Sequence, residues 1–164
     1  MKRFLLVGAV FSVLLTTVIA QNQAGPEIQI MDEGPEAALT YQLTDIEWQP
    51  GPASFESGAE YAVLEGSPGE PGFFNLRIRM PDGFHIAPHW HPNVERVTVI
   101  SGTFRIGHGE DPNPETTQAL GPGSYFSFPP EHIHYAYAEG ETVIQLTSIG
   151  PWVIHYINPE DDPR

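Results

Sequence analysis

Seven histidines stand in a chain that carries only 7 Lys and Arg against 21 Asp and Glu. Two of them alternate in His89-Trp90-His91-Pro92-Asn93-Val94-Glu95. On an extended strand, residues two apart face the same way with Cα atoms about 7 Å apart, so both imidazoles can reach one ion. Glu95 follows a kink expected at Pro92-Asn93 and can return a carboxylate to the same point. His134, after Pro129-Pro130, is the natural third imidazole, supplied by a neighbouring strand. Three neutral imidazoles and one carboxylate suit one divalent transition metal: Mn, Fe, Co, Ni, Cu or Zn. Cysteine is absent, which excludes disulfides, thiolate metal sites and a cysteine nucleophile.

The remaining candidates are ranked by strand parity. His132 shares the parity of His134; it is read as a loop residue at the pocket mouth that would serve as a base if it faced inward. Glu131 and His132 are the two candidates for a catalytic acid or base. His85 shares the parity of His89, although a surface position after Asp82-Gly83 is the simpler reading. His108 and His155 read as plain surface residues, and Trp90 as a packing residue. Arg77 or Arg79 would bind a substrate carboxylate only if it pointed inward, against the commoner pairing with surface acids.

The elements that must position these groups read as short strands. Phe74, Leu76 and Ile78 alternate with Asn75, Arg77 and Arg79, the period of a half-buried strand. Leu43–Trp48 and Tyr61–Leu64 are further apolar runs that end in Pro/Gly turns. Residues 94–100 and 103–107 flank Ser101-Gly102, which reads as a hairpin turn. Residues 125–128, 134–138, 142–148 and 152–157 supply four more strand candidates. Residues 109–118 read as an acidic exposed loop. Val97, Val99, Phe104, Ile106, Phe126 and Phe128 are core by alternation. No 3.6-residue period is sustained. Gly 16 and Pro 17 fall below the disorder range, so the pattern is an all-β sandwich or barrel.

The first residues read as an address. Lys2-Arg3 precedes an apolar run from Phe4 to Val18, and Val18-Ile19-Ala20 offers a small-residue cut site. That run is shorter than the about 20 residues of a spanning helix. The expected product is periplasmic or secreted, cleaved after Ala20 and free of the membrane. Residues 21–40 then form a flexible N-terminal arm, with one short strand expected at 28–30, and residues 41–164 form the domain. The net charge is −14, and no lysine remains once Lys2 is removed. Nucleic acid, which is bound through Lys and Arg, is excluded as a partner.

From Gly83 the chain reads Gly, five residues, His89-x-His91, three residues, Glu95, six residues, Gly102. This resembles the first motif of the cupin superfamily without a gap. Gly123, Pro129 and His134 fall on the second motif, while Glu131 stands where that motif has Gly and Ala138 where it has Asn. The Gly departure implies a different turn before His134. From about Tyr61 onward, the Leu64–Pro68 opening and the Gly150-Pro151-Trp152…Asn158-Pro159-x-Asp161-Asp162-Pro163-Arg164 end resemble a group of small, uncharacterised, exported bacterial single-domain cupins. The resemblance implies a double-stranded β-helix, that is, a jelly-roll-like antiparallel barrel. It also implies metal ligands at His89, His91, Glu95 and His134, but no substrate.

A small metalloenzyme, dioxygenase-like or isomerase/lyase-like, acting on a small organic and anionic molecule is the expected function. The alternative is a non-catalytic module that binds a metal or small solute. Cupins often pair through edge strands and arms, so a homodimer is a further expectation.

Overall fold

The computed structural model describes residues 34–164. The proposed signal segment and the strand expected at 28–30 lie outside the described residues. Nine strands follow in chain order: β1 (Gln49–Pro50), β2 (Glu60–Gly66), β3 (Gly72–Met80), β4 (His85–Trp90), β5 (Glu95–His108), β6 (Gln118–Leu120), β7 (Tyr125–Phe128), β8 (His134–Gly150) and β9 (His155–Tyr156). All pairings between them are antiparallel. One edge of β8 meets β3 and β4, and the other meets β5, which in turn carries β6 and β7. The sheet curls on itself around a core of Phe74, Leu76, Ile78, Met80, Val97, Val99, Phe104, Ile106, Ile144 and Leu146. Phe126 and Phe128 pack against that core from its rim.

The alternation expected in β3 is observed: Phe74, Leu76, Ile78 and Met80 are buried. Arg77 and Arg79 therefore point outward. Arg79 bonds Glu60 through Nε at 2.8 Å and lies 4.5 Å from the centre of the Trp48 ring, while Arg77 donates to Gln145.

Four expectations are corrected. Ser101-Gly102 is no hairpin turn, because β5 runs through it as one strand. The register slips on both sides of Ser101, where the strand bends from its pairing with residues 143–147 to its pairing with residues 134–139. Gly102, at φ 76°, sits so close to β8 that a Cβ would fall on the Glu141 carbonyl and Thr142. The segments 134–138 and 142–148 are likewise one 17-residue strand. Leu43–Trp48 forms a 3₁₀ turn at Leu43–Asp45, where the Asp45 N–H donates to the Gln42 carbonyl and the Asp45 carboxylate accepts from the Gln42 N–H, both at 3.0 Å. Of residues 152–157 only His155–Tyr156 is strand, pairing with the end of β4.

Loop 109–118 is exposed as expected, with a 3₁₀ turn at Pro114–Thr116 capped by Asn113. It also covers Tyr135, whose ring packs against Gly107 and whose hydroxyl donates to the Asn113 carbonyl at 3.2 Å.

Candidate metal centre

His89 and His134 are direct partners across the β4–β8 pair, so their side chains share a face. His91 follows β4 on the turn that leads to Glu95, the first residue of β5. That turn is pinned by Asn93, which donates to the Ile149 carbonyl at 2.9 Å, and by Ser148, which donates to the Val94 carbonyl at 2.7 Å. All four candidate ligands are buried. One ring nitrogen from each of His89, His91 and His134 lies within 4.8 Å of the others, a spacing that one ion can bridge.

The orientation of the rings follows from backbone carbonyls. His89 Nδ1 lies 2.7 Å from the Ala87 oxygen, His91 Nδ1 2.8 Å from that of Val153, and His134 Nδ1 2.9 Å from that of His132. A carbonyl only accepts, so each Nδ1 carries the proton and donates it. Each Nε2 is left with a lone pair, the form that binds a metal. Glu95 Oε2, buried and without a hydrogen-bond partner, faces His134 Nε2 at 3.1 Å; Oε1 faces His91 Nε2 at 3.9 Å. Lone pairs thus oppose lone pairs, an arrangement that a cation between them relieves. The donor set fits a borderline divalent ion.

The electrostatics agree. Burial, reinforced by the neighbouring imidazoles, holds His89 well below its ordinary range. Burial also lowers His91 to about 4, against the pull of Glu95. Burial alone would raise Glu95, but positive charge held between it and His134, His91 and His132 keeps it below the usual carboxylate value. Neutral imidazoles beside an ionised carboxylate are the protonation states of a metal site at neutral pH.

The other sequence candidates fall around this cluster. A register shift between Ile86 and His89 breaks the alternation of β4, so Ile86 and His89 both face inward. His85 therefore lies off the ligand face, stacked on Tyr137 at 5.6 Å. Glu131 is exposed, yet its backbone is at φ 64°. It is the only non-glycine with positive φ among the described residues. The turn expected to differ thus keeps the left-handed conformation that a glycine would take, and the Glu131 N–H donates to the His91 carbonyl at 2.9 Å. His132 is half-buried; its Nε2 lies 3.0 Å from His108 Nδ1, and its ring lies against Phe128. His108 and His155 are more engaged than plain surface residues, since His155 stacks on Trp90 at 4.1 Å.

Two participants had no signal in the spacing. Trp152 stacks on His91 with centroids 4.0 Å apart and sets its edge against Phe74. Tyr156, paired with His89, donates its hydroxyl to the Ser54 carbonyl at 2.8 Å. Burial pushes the Tyr156 phenol up to about 12. Next to the cluster, a cleft of about 190 Å³ opens between Trp152, Phe55, Tyr61, Leu76, Ile78 and Leu146.

A curled antiparallel barrel with an inward His-x-His, a following Glu and a third His from the opposite motif defines a cupin. Residues 36–153, well over half of the chain, match the family model described as the ChrR Cupin-like domain, and the chain belongs to that family. No curated protein matches by sequence. Solved structures show the same fold. The polyketide cyclase RemF from Streptomyces resistomycificus aligns at TM-score 0.58 and 17% identity, over 77% of this chain and 90% of its own. An RmlC-like cupin from Shewanella frigidimarina NCIMB 400 aligns at 0.55 and 16%, over 73% and 96%. KdgF from Halomonas sp. aligns at 0.54 and 20%, over 70% and 96%.

Proposed function

We propose that this chain is an exported, mononuclear metal-dependent cupin. In this reading His89, His91, His134 and Glu95 hold one divalent transition metal, and the protein acts on a small organic molecule. The observation that carries the reading is the set of three rings, each tied at Nδ1 to a carbonyl, with a buried, unpartnered Glu95 oxygen beside them. Such an ion supplies Lewis acidity and, where it is redox-active, access to oxygen chemistry. The chain's own residues orient the rings, exclude water by burial and offset one positive charge through Glu95. Among the described residues, none that lines the adjoining cleft is a carboxylate, a histidine or a cation. Isomerase or lyase chemistry needs a placed acid or base and would have to draw on His132, whose ring lies 6.2 Å from that of His134. Dioxygenase-like chemistry asks less of the side chains and is the better supported of the two. Arg77 and Arg79 point outward, in line with the commoner pairing of surface arginines, so an anionic substrate would be drawn by the ion and not by them.

The test pairs metal analysis with turnover. Protein isolated from the cell envelope is expected to begin at Gln21 and to carry about one equivalent of metal, lost in a His89→Ala/His91→Ala variant. Oxygen uptake with small dihydroxy and enolisable compounds should follow the metal. Metal without turnover on any such compound would make the protein a binding module. Absence of metal from both proteins would refute the reading.

A further inference from the structure

The cleft beside the candidate metal centre is lined mostly by apolar side chains, among them Phe55, Tyr61, Leu76, Ile78, Leu146 and Trp152. None of His89, His91, Glu95 and His134 lines it. Trp152 is common to both places, since its ring stacks on His91 and forms one wall of the cleft. Among the described residues, the lining carries no charged side chain, and its side-chain polar atoms are two hydroxyls and the indole N–H. The Tyr156 hydroxyl donates to the carbonyl of Ser54, which belongs to the same lining.

Size and polarity together restrict the occupant. An engineered apolar cavity of about 150 Å³ accepts benzene, and this cleft measures about 190 Å³. It has room for one six-membered ring with one or two small substituents. A carboxylate or ammonium placed here would lose its hydration without a partner. Aromatic walls at Trp152, Phe55 and Tyr61 favour a flat ring over a branched chain of equal volume. We propose that this cleft is a binding site for an uncharged, single-ring organic molecule that packs against Trp152. The site goes beyond the metal reading and stands without it, because none of its walls is a candidate metal ligand.

Phenol serves as the probe and benzoate as its charged counterpart, titrated calorimetrically into both metal-free and metal-loaded protein. Phenol is expected to bind at least tenfold more tightly than benzoate in the metal-free protein. Leu146→Phe, which fills the cleft, should weaken phenol at least tenfold and leave metal content unchanged. Gly69→Leu provides a second block at the rim, where an added Cβ meets nothing closer than Ser67 Oγ at 4.0 Å. Phenol binding should also change the indole fluorescence, and Trp152→Phe should abolish that change. Equal affinity for phenol and benzoate in metal-free protein would overturn the proposal, as would unweakened phenol binding in both folded cleft variants. Failure to bind metal leaves these outcomes untouched, so the two readings fail separately.

Discussion

Glu131 offers a measurable imprint of the turn that aims His134. Its φ of 64° is a conformation in which the Cβ of an L-residue crowds the backbone, at a cost of about 1–2 kcal/mol. Glycine takes this conformation freely but gives up more freedom on folding, about 0.5–1 kcal/mol relative to Ala. The difference predicts that Glu131→Gly stabilises the protein by roughly 0.5–1 kcal/mol. In a domain of this size that corresponds to a rise of about 2–4 °C in Tm. The side chain is exposed, and the hydrogen bond to the His91 carbonyl comes from the backbone, so neither effect offsets the gain. Thermal unfolding of metal-free protein at neutral pH is the assay, with Glu131→Ala as control. Alanine keeps the Cβ, so it should leave Tm within about 1 °C of the parent. A fall in Tm for the glycine variant, or an equal rise for both variants, would refute the reasoning.

Three further outcomes are expected. Metal-free protein should lose stability as pH falls from 6.5 toward 4. The unfolded His91 takes up its proton near 6.5, whereas burial holds the folded residue to about 4, and full protonation of the unfolded chain therefore costs about 3 kcal/mol from this residue alone. Denaturant titrations across that range check the sign, and a flat profile would contradict it. Glu95→Gln should act in opposite directions: an amide N–H facing the His134 Nε2 lone pair raises the Tm of metal-free protein, while metal affinity falls about 10–100-fold, as competition with a chelating dye would show. Gly107→Ala places a Cβ on the Tyr135 ring and should destabilise by about 1–3 kcal/mol, a penalty that should vanish in a Tyr135→Ala background, where thermal unfolding compares the single and double variants.

The parts of this molecule legible in its sequence are those governed by local periodicity. Phe74, Leu76 and Ile78 announce a half-buried strand because the pleat repeats every two residues. The same rule brings His89 and His91 to one face. Where the backbone departs from that period, parity misleads. The bulge of β4 places Ile86 and His89 on one face although they are three positions apart, and it turns His85 away. The bend at Gly102 resembles a hairpin because a glycine after a serine serves either purpose; only the close approach of Thr142 and Glu141 distinguishes the two. The left-handed Glu131 was illegible for another reason, since a motif position filled by the wrong residue reads as a change of shape when the surrounding contacts have kept the shape. The carbonyls of Ala87, Val153 and His132 that orient the imidazoles belong to the backbone, which any residue type provides. Trp152 reaches His91 from 61 positions away, beyond the range of any spacing rule.

The length of β8 bears on the order in which the protein can be built. β3, β4 and β5 all pair with it, so each awaits residues that emerge later from the ribosome. Arg96 meets Thr147, and Gly72 meets Gly150. Closing such distant pairs is slow because the loop entropy must be met before the contacts repay it. A nascent chain that stops short of residue 134 holds His89, His91 and Glu95 with no strand to bring their third imidazole. The candidate metal centre is therefore a late product of folding, complete only when the barrel is.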